Sequence, residues 1–314
     1  MSTLPGTAAV VVTWRDAPMA TRCVESLLDM DPGPDSLVCV ALELDAQSLR
    51  SLAAALPDDA RLIADPENIG FAAAANIGIE TALEDGAQWV LVVNNDATLY
   101  GGYLDATIGR GGDEDLGRVA AVSPAISYAG DTDVVWFGGG HFSDRFGVAR
   151  FRGRGAEARD APPTGDVDWV PWCAVLVSAE AWRSVGPLRE DFFLYFEDVE
   201  WCLRAREAGW RIRYVGRVLA SHSVSASTRP GGSASSRADA DRLSETSAYY
   251  RLRNPIRWAL ETPPGMLRVS RTVGIVVARS AYLGLQIARH PSRSVWRAYV
   301  AGIRHGLRGV SGCR

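Results

Sequence analysis

Lysine is absent from the chain of 314 residues, so arginine supplies every side-chain cation apart from histidine. The net charge is only −4, and no global positive field favours nucleic acid as a partner. Hydrophobic residues make up 47% and charged residues 22% of the chain, as is typical of a soluble globular protein. The length suits one large α/β domain with an appendage, or two modest domains.

Cysteine is scarce, long apolar runs are missing, and the N-terminus lacks the features of a secretory signal. The five cysteines are odd in number and show no metal-ligand spacing, which favours reduced thiols in a cytoplasmic protein. The first residues include no basic n-region and no cleavage site. The apolar run from Ala8 to Val12 is too short to cross a membrane and predicts a buried strand.

The first hundred residues alternate strand patterns with helix patterns. The predicted strands are 8–13, 37–44, 61–64 and 88–93, and the predicted helices are 19–28, 46–56 and 71–83. Such alternation predicts an α/β fold with a mostly parallel central sheet and helices on both faces. Ligands of these sheets bind beyond the carboxyl ends of the strands, so the segments after Thr13, Leu44 and Val93 are the first candidates for a site.

The remainder of the chain is less regular. Between residues 101 and 165 the pattern loosens, and we expect surface loops at Gly138-Gly139-Gly140 and over residues 152–165, which are turn-rich and polar. The later predicted elements are a strand region at 167–177, a helix at 196–208, short strands at 211–215 and 218–221, a mobile Ser/Gly-rich segment at 223–236, and helices from residue 243 onward. We therefore expect a first domain over residues 1–240 and a C-terminal helical region over residues 241–314.

The segment Asn94-Asn95-Asp96 directly follows a strongly apolar predicted strand. A carboxylate at a strand's carboxyl end lies where a diphosphate would bind, and Mg²⁺ or Mn²⁺ accepts one or two carboxylates together with phosphate and water oxygens. The alternative is a turn, because Asn and Asp form local hydrogen bonds that favour turns.

A second acidic cluster, Glu197, Asp198 and Glu200, begins a predicted helix. Acidic residues at a helix start interact favourably with the helix dipole, which is the structural interpretation. The cluster is also surrounded by aromatic residues, and apolar surroundings raise the pKa of a carboxylate and suit it to general-base catalysis. The aromatic residues are Phe192, Phe193, Tyr195, Phe196 and Trp201.

Three further residues have both a structural and a functional interpretation. His222 follows a short strand, where it is either a surface or core residue or a ligand. Asn68 and Gly70 are either loop and helix-cap residues or part of a site.

The chain contains no P-loop, and no Gly-x-Gly-x-x-Gly follows the first strand, so a dinucleotide-binding Rossmann domain is disfavoured.

The order and spacing of these motifs resemble family 2 glycosyltransferases of the GT-A fold, especially the bacterial rhamnosyltransferase-like branch. The matching segments are 10–14, 68–78, 91–96, 192–204, 208–209, His222 and 249–254. The likeness covers roughly residues 8–258, and although each motif alone is weak, their common order makes a chance match improbable.

The resemblance implies an inverting hexosyltransferase that moves a sugar from a nucleoside diphosphate to a hydroxyl group. It favours dTDP-rhamnose as the donor and a glycan, a lipid-linked molecule or a small molecule as the acceptor. It implies Mg²⁺ or Mn²⁺ held by Asp96 and His222, with Asn94 replacing the first acidic residue of the family's Asp-x-Asp-type motif. It makes Asp198 the general base, with Glu197 beside it.

The resemblance also assigns residues to the two substrates, in a catalytic domain over 1–240. The expected donor-binding residues are Thr13, Trp14, Arg15, Glu43, Asp45, Asn68, Gly70, Phe71, Asn76, Asn94 and Asn95. The aromatic residues Trp172 and Tyr195 are expected on the acceptor side. The family's Asp-Asn-x-Ser element is missing after the second strand, and Glu43 and Asp45 both remain open as its substitute.

Residues 266–308 contain no acidic residue but eight arginines. They are Arg268, Arg271, Arg279, Arg289, Arg293, Arg297, Arg304 and Arg308. On one continuous helix they would form a single stripe, although Pro291 is expected to interrupt it. Two interpretations remain open: helices that pack on the catalytic domain, and an interfacial segment on anionic lipid near a lipid-linked acceptor. No segment is sufficiently free of charge to be a transmembrane helix.

Three other classes of protein compete with the glycosyltransferase. A non-catalytic protein on the same fold could bind nucleotide sugars or carbohydrate, and the intact Asp96 and Asp198 argue against it. A nucleotidyltransferase would need a Gly-rich, basic signature near the first strand, which residues 13–18 do not offer. A glycosidase places two carboxylates on either side of the scissile bond and needs no metal at a diphosphate.

Overall fold

A computed structural model describes residues 6–109, 116–224, 243–289 and 292–313. In the first of these ranges strand and helix alternate, as the sequence predicts. The elements are β1 (Thr7–Trp14), α1 (Ala17–Leu28), β2 (Ser36–Leu42), α2 (Ala46–Ala55), β3 (Arg61–Asp65), α3 (Phe71–Glu84) and β4 (Trp89–Asn94). The strands β3, β2, β1 and β4 are neighbours in this order and all run parallel.

The central strands are buried on almost every residue because they are continuous runs of valine and alanine. A strand that is apolar on both faces must be covered on both faces, which is the arrangement of parallel sheets in α/β proteins. Helix α3 lies so close to β1 that a side chain on Gly78 would overlap the side chain of Val10. This packing fixes the carboxyl ends of β1, β2 and β4 at one edge of the sheet.

The second half of the sheet is mixed. Its elements are β5 (Ala97–Leu99), α4 (Tyr103–Ile108), β6 (Val119–Tyr128), β7 (Asp131–Phe137), β8 (Gly140–Ser143), β9 (Val148–Phe151), β10 (Gly165–Val167), β11 (Ala174–Ser178), α5 (Ala179–Val185), α6 (Glu197–Glu207) and β12 (Arg211–His222). The full order is β10-β12-β6-β11-β4-β1-β2-β3, with β5 paired to β12 and β7 paired to β6. Strands β8 and β9 form a separate hairpin.

Residues 138–139 and 152–164 lie outside the strands, in agreement with the expected loops, but other parts of the segment 101–165 form a helix and strands that the sequence analysis did not predict. Strand β6 lies inside the sheet between β12 and β11, and all ten of its residues are buried. Its alanine, serine and proline residues have weak strand propensity, so burial by neighbouring elements, rather than local preference, makes it a strand. The two short strands predicted at 211–221 are one strand with register shifts between Val215 and Ala220. The predicted mobile segment, after Val224, lies outside the described residues, as does the predicted domain boundary at residue 240.

Three helices follow: α7 (Glu245–Glu261), α8 (Met266–Arg289) and α9 (Arg293–Leu307). Helix α8 packs on the β8–β9 hairpin, where Arg271 donates to the carbonyl of Asp144 and Ser270 donates to that of Arg145. A side chain on Gly274 would lie 2.5 Å from the carbonyl oxygen of Phe146. The predicted packing of the C-terminal helices on the rest of the chain is therefore present.

The predicted α/β fold, with a mostly parallel central sheet and a C-terminal helical region, is confirmed. Within the described ranges, no helix has the length and apolar character needed to span a bilayer.

Candidate active site

A cavity of about 380 Å³ lies where the ends of β4 and β12 meet the start of α6 and the middle parts of α7 and α8. The predicted site residues that line it are Phe71, Asn94, Asp96, Trp172, Tyr195, Glu197, Asp198 and His222. The structure therefore brings the predicted metal ligands and the predicted general base into one cavity.

One wall of the cavity contains an ion pair between Asp96 and His222. The pairing of β12 with β5 sets His222 opposite Ala97, and His222 Nε2 lies 2.9 Å from Asp96 Oδ1. Both side chains are buried. Burial acts to lower the pKa of His222, but the negative charge of Asp96 outweighs it and raises that pKa well above its ordinary value. The pair is a carboxylate and an imidazole held together at a sheet edge.

Asn94 and Asn95 share this wall but use their amides differently. Asn95 Nδ2 donates to Thr13 Oγ1 at 2.8 Å, which ties the end of β4 to the end of β1. Asn94 Oδ1 is buried without a hydrogen-bond partner. An unpaired buried acceptor costs free energy, so this oxygen is suited to a ligand.

These donors fit Mg²⁺ or Mn²⁺. A carboxylate, an imidazole and an amide oxygen are all suitable ligands, although the described residues contain no group of three or more His, Cys, Asp or Glu that could hold an ion. An ion beside Asp96, His222 and Asn94 would take further oxygens from a substrate diphosphate and from water.

A second part of the cavity wall starts with a strained turn before α6. Phe193, Tyr195 and Phe196 have φ values of 65°, 67° and 78°, which non-glycine residues rarely adopt. Asn254 of α7 donates to the carbonyls of Leu194 and Tyr195 at 2.9 and 2.6 Å. Such strain persists only where surrounding contacts enforce it, and here it directs the start of α6 into the cavity.

Arg253 strengthens the same anchor. It is fully buried and donates to the carbonyl of Phe192 at 2.8 Å. The sequence motif at 249–254 contains both Arg253 and Asn254, but nothing in the sequence shows that their partners are carbonyl groups 60 residues earlier in the chain.

Asp198 and Glu197 both line the cavity, in different electrostatic states. Burial raises the pKa of Asp198 to about 6, although hydrogen bonding from Val199 and the charge of Arg251 oppose this shift. Burial, and then the neighbouring Asp198, raise the pKa of Glu197 well above its ordinary value. Glu197 Oε2 is buried without a partner. Asp198 can therefore accept a proton near neutral pH, whereas Glu197 retains its own.

The segment before α3 supports this turn from the other side. Phe71 donates its backbone N–H to the carbonyl of Phe193 at 2.9 Å. Gly70 has φ 87°, and a Cβ there would lie 2.6 Å from the same carbonyl oxygen, so only glycine fits. Asn68 Oδ1 accepts from the Gly70 N–H at 3.0 Å. Asn76 is bonded to the carbonyl and N–H of Leu188. Asn68, Gly70 and Asn76 thus have structural partners, and their contact with the donor stays a prediction.

Trp14, Arg15 and Glu43 form a second cluster at the ends of β1 and β2, outside the cavity. Glu43 accepts hydrogen bonds from the indole N–H of Trp14 and, at 3.0 Å, from Arg15. Hydrogen bonding from Trp14 and Arg15 lowers the pKa of Glu43. Asp45 instead caps α2 by accepting from the Ser48 N–H at 2.7 Å. The sequence leaves Glu43 and Asp45 open as the substitute for the family's missing element, and of these two residues Glu43 belongs to the cluster.

The two predicted acceptor-side residues have aromatic or cationic neighbours. The ring of Trp172 lies 5.2 Å from that of Trp201 and is buried. The guanidinium carbon of Arg251 lies 4.5 Å from the ring centroid of Tyr195. Sequence analysis missed Arg251 and Arg279, which also line the cavity. The sequence does show an excess of arginine after residue 268, but it does not show that one of these arginines, Arg279, lines the cavity.

Solved structures identify the class of fold as GT-A. GalNAc-T7, solved with UDP, GalNAc and Mn²⁺, has a TM-score of 0.58 at 11% identity, covering 92% of this chain and 58% of that chain. The mannosyltransferase PcManGT from Pyrobaculum calidifontis, solved with GDP-Man and Mn²⁺, has a TM-score of 0.51 at 14% identity, covering 98% and 81%. S. aureus TarS has a TM-score of 0.52 at 10% identity, covering 97% and 80%.

Residues 5–259 match the family described as glycosyltransferase like family 2, and the chain belongs to that family. It is also similar to the pre-mycofactocin glycosyltransferases of two Mycobacterium tuberculosis strains, with 31% identity over 168 residues. The match covers 52% of this chain and 32% of each relative, so the chain spans about a third of their length. The predicted family and fold are confirmed, and the rhamnosyltransferase-like branch stays a prediction.

Proposed function

We propose that this chain is an inverting, metal-dependent glycosyltransferase that moves a sugar from a nucleoside diphosphate to a hydroxyl group of a glycan, a lipid-linked molecule or a small molecule. The observation that carries the proposal is one cavity with Asp96 and His222 on one wall and Asp198 on the other. Inverting transfer needs this division, because the leaving group and the incoming nucleophile occupy opposite sides of the anomeric carbon.

The chain's own residues supply the acceptor side of the reaction. Asp198 takes the proton of the acceptor hydroxyl while that oxygen forms its bond to the anomeric carbon. The bond from that carbon to the phosphate oxygen breaks at the same time, and the nucleoside diphosphate leaves with the electron pair. Trp172 and Tyr195 flank the acceptor with aromatic surface. Glu197, which retains its proton, is excluded as the base in this scheme.

Asp96 and His222, with the amide oxygen of Asn94, would hold Mg²⁺ or Mn²⁺ on the donor side. A divalent ion there supplies positive charge to the departing diphosphate. The Mn²⁺ in the structures of GalNAc-T7 and PcManGT supports this cofactor.

For the donor, we propose that Glu43, Trp14 and Arg15 contact the nucleoside, with Thr13, Asn95 and Phe71 between that cluster and the cavity. The resemblance to the rhamnosyltransferase-like branch makes dTDP-rhamnose the first donor to test. UDP and GDP sugars belong in the same panel, because the structural neighbours were solved with UDP and GDP-Man.

The proposal is tested by measuring hydrolysis and transfer across a panel of dTDP, UDP and GDP sugars, with Mg²⁺, with Mn²⁺ and in excess chelator. We expect turnover of one donor class only, dependent on the ion. Tight donor binding without any turnover would favour the non-catalytic binding protein, and full turnover in chelator would contradict the proposed metal.

We further propose contact with an anionic membrane through the C-terminal helices, at the cytoplasmic face. Val269, Val273 and Val277 recur every fourth residue on α8 and are 58%, 54% and 62% exposed, which forms an apolar ridge. On α9 the exposed Trp296 accompanies exposed arginines. These arginines are Arg293, Arg297, Arg304 and Arg308. An apolar ridge beside arginines, with no acidic residue on either helix, is typical of an interfacial segment.

The arginines of α8 do not form the single exposed stripe that the sequence analysis expected. Arg271 contacts the β8–β9 hairpin and Arg279 lines the cavity, so on α8 the exposed surface is apolar rather than cationic. We expect the full chain to bind vesicles containing anionic lipid, and Val273→Asp with Val277→Asp to abolish this binding without loss of donor turnover. Failure of the wild type to bind such vesicles at low ionic strength would contradict the proposal.

A further inference from the structure

The wall of the cavity contains two arginines that come from different C-terminal helices. Arg251 of α7 and Arg279 of α8 both line the cavity and are half-buried. Among the described residues, neither guanidinium forms an ion pair with an Asp or Glu side chain. Arg251 lies over the ring of Tyr195, a contact that leaves its N–H donors available.

Two other partly buried arginines are paired with carboxylates. Arg189 forms ion pairs with Asp191 and Glu261, and Arg204 forms one with Glu200. Removing a charge from water is expensive unless a partner compensates it, which explains these pairs. Arg251 and Arg279 depart from this rule in the same cavity, where burial and the charge of Arg251 lower the pKa of Arg279 to about 10. Among the described residues, these two guanidinium groups of the cavity wall therefore lack the ion-pair partners that Arg189 and Arg204 have.

We infer that Arg279, together with Arg251, forms a subsite for an oxyanion group, a carboxylate or a phosphate, carried by the acceptor. The inference rests on the proposed transferase function and names the acceptor's chemical class. Guanidinium groups bind both anions through paired, charge-assisted hydrogen bonds. The position of Arg251 over Tyr195, close enough to lower the pKa of Asp198, places this charge beside the base.

The donor diphosphate is the other possible source of the same chemistry. Two observations favour the acceptor. Arg251 lies over Tyr195, three residues before the proposed base Asp198, whereas the diphosphate is proposed to lie at Asp96, His222 and the unpaired Asn94 oxygen. Arg279 also lies beyond residue 259, where the match to the family ends, so it is an addition outside the shared domain. We expect residues that bind the donor diphosphate to lie within the domain that the family shares. A residue outside that domain is more consistent with binding an acceptor that is particular to this chain.

Binding to the full chain, without turnover, tests the subsite. The anionic probes are inorganic phosphate and methyl glucuronide, methyl glucoside is the neutral counterpart of the latter, and a nucleoside diphosphate with Mn²⁺ reports on the donor wall. The variants are Arg279→Gln, Arg279→Lys and, as a matched control, Arg271→Gln. Arg271 lies on the same helix and anchors it to the β8–β9 hairpin without lining the cavity.

We expect the wild type to bind at least one anionic probe and to discriminate against methyl glucoside. Arg279→Gln should weaken that binding about tenfold or more, Arg279→Lys should retain part of it, and Arg271→Gln should match the wild type. Nucleoside diphosphate affinity should stay within about twofold in all variants. Equal losses in Arg279→Gln and Arg271→Gln would mean that only helix packing changed, which overturns the inference.

Two other results overturn the inference. No saturable binding of either anion to the wild type would show that the charge does not serve a free oxyanion. A loss of nucleoside diphosphate affinity in Arg279→Gln as large as the loss of anion affinity would assign the charge to the donor. Because these measurements need no turnover, an inactive wild type would contradict the proposed function without deciding the subsite.

Discussion

The two walls of the cavity are built in different ways. Asn94 and Asp96 follow a regular buried strand, and His222 joins them through a strand pairing in the same sheet. Asp198 depends on a strained turn that α7 holds in place, and Arg279, which lines the same cavity, comes from a helix beyond the family match. The donor wall thus uses the shared sheet, whereas the acceptor wall is assembled from distant, more individual segments. Variation in acceptor is therefore expected to arise on the second wall.

The largest expected effect of a substitution falls on the donor wall. Asp96→Ala should reduce donor turnover about 10³-fold or more, because it removes the carboxylate that would hold the ion at the diphosphate. His222→Ala should cost less, since water can replace one ligand. Steady-state rates with Mg²⁺ or Mn²⁺ measure both effects, with the exposed Asp58→Ala as a control. If the Asp96→Ala enzyme is active and depends on the metal as the wild type does, Asp96 does not hold the ion, and the proposed division into a donor wall and an acceptor wall is contradicted.

The contrast between the walls also explains what the sequence could predict. Asn94 to Asp96 was identifiable because an apolar strand pattern directly precedes it, and the aromatic segment containing Asp198 was identifiable by composition. Strand β6 was missed because its alanines and serines become a strand only through burial inside the sheet. The roles of Asn254 and Arg279 depend on contacts between segments far apart in the chain, which no local pattern shows.

The next prediction concerns pH and tests the acceptor wall. Asp198 must be deprotonated to act as a base, and its pKa is raised to about 6. The rate kcat/KM should therefore fall about tenfold per pH unit below about 6 and level off above it. A profile measured from pH 4.5 to 8 checks this, with donor binding followed in parallel. A rate independent of pH between 5 and 7 would contradict the assignment.

The buried charge of Asp198 should also lower stability. The pKa of Asp198 in the folded state, about 6, lies above its ordinary value, so the folded state binds a proton more tightly than the unfolded state. The stabilisation that comes from this bound proton is fully present below about pH 4 and is lost as the pH rises through about 6. Asp198→Asn should therefore raise the free energy of unfolding at pH 8, by up to roughly 2–3 kcal/mol, and change it little at pH 4. Denaturant titrations at both pH values measure the difference, and a variant that is less stable at pH 8 would contradict this.

The smallest expected effect separates Glu43 from Asp45 at the donor edge. Glu43→Gln should weaken binding of the preferred nucleoside diphosphate about 5- to 10-fold, because Glu43 orients Trp14 and Arg15. Asp45→Ala should leave that affinity unchanged and slightly lower the Tm, because Asp45 caps α2. Calorimetry on the two variants measures the affinity for the nucleoside diphosphate. If Asp45→Ala loses affinity and Glu43→Gln does not, Asp45 rather than Glu43 contacts the nucleoside.

The central claim is that one cavity separates donor binding from proton removal, and Asp198→Asn tests it most directly. Asn keeps the size and polarity of the side chain but cannot take the proton, so turnover should fall about 10²- to 10⁴-fold while donor affinity stays within about twofold of the wild type. Glu197→Gln, on the adjacent residue, should keep most of the turnover. If Asp198→Asn turns over normally, or if Glu197→Gln alone loses turnover, Asp198 is not the base and the account of the acceptor wall is wrong.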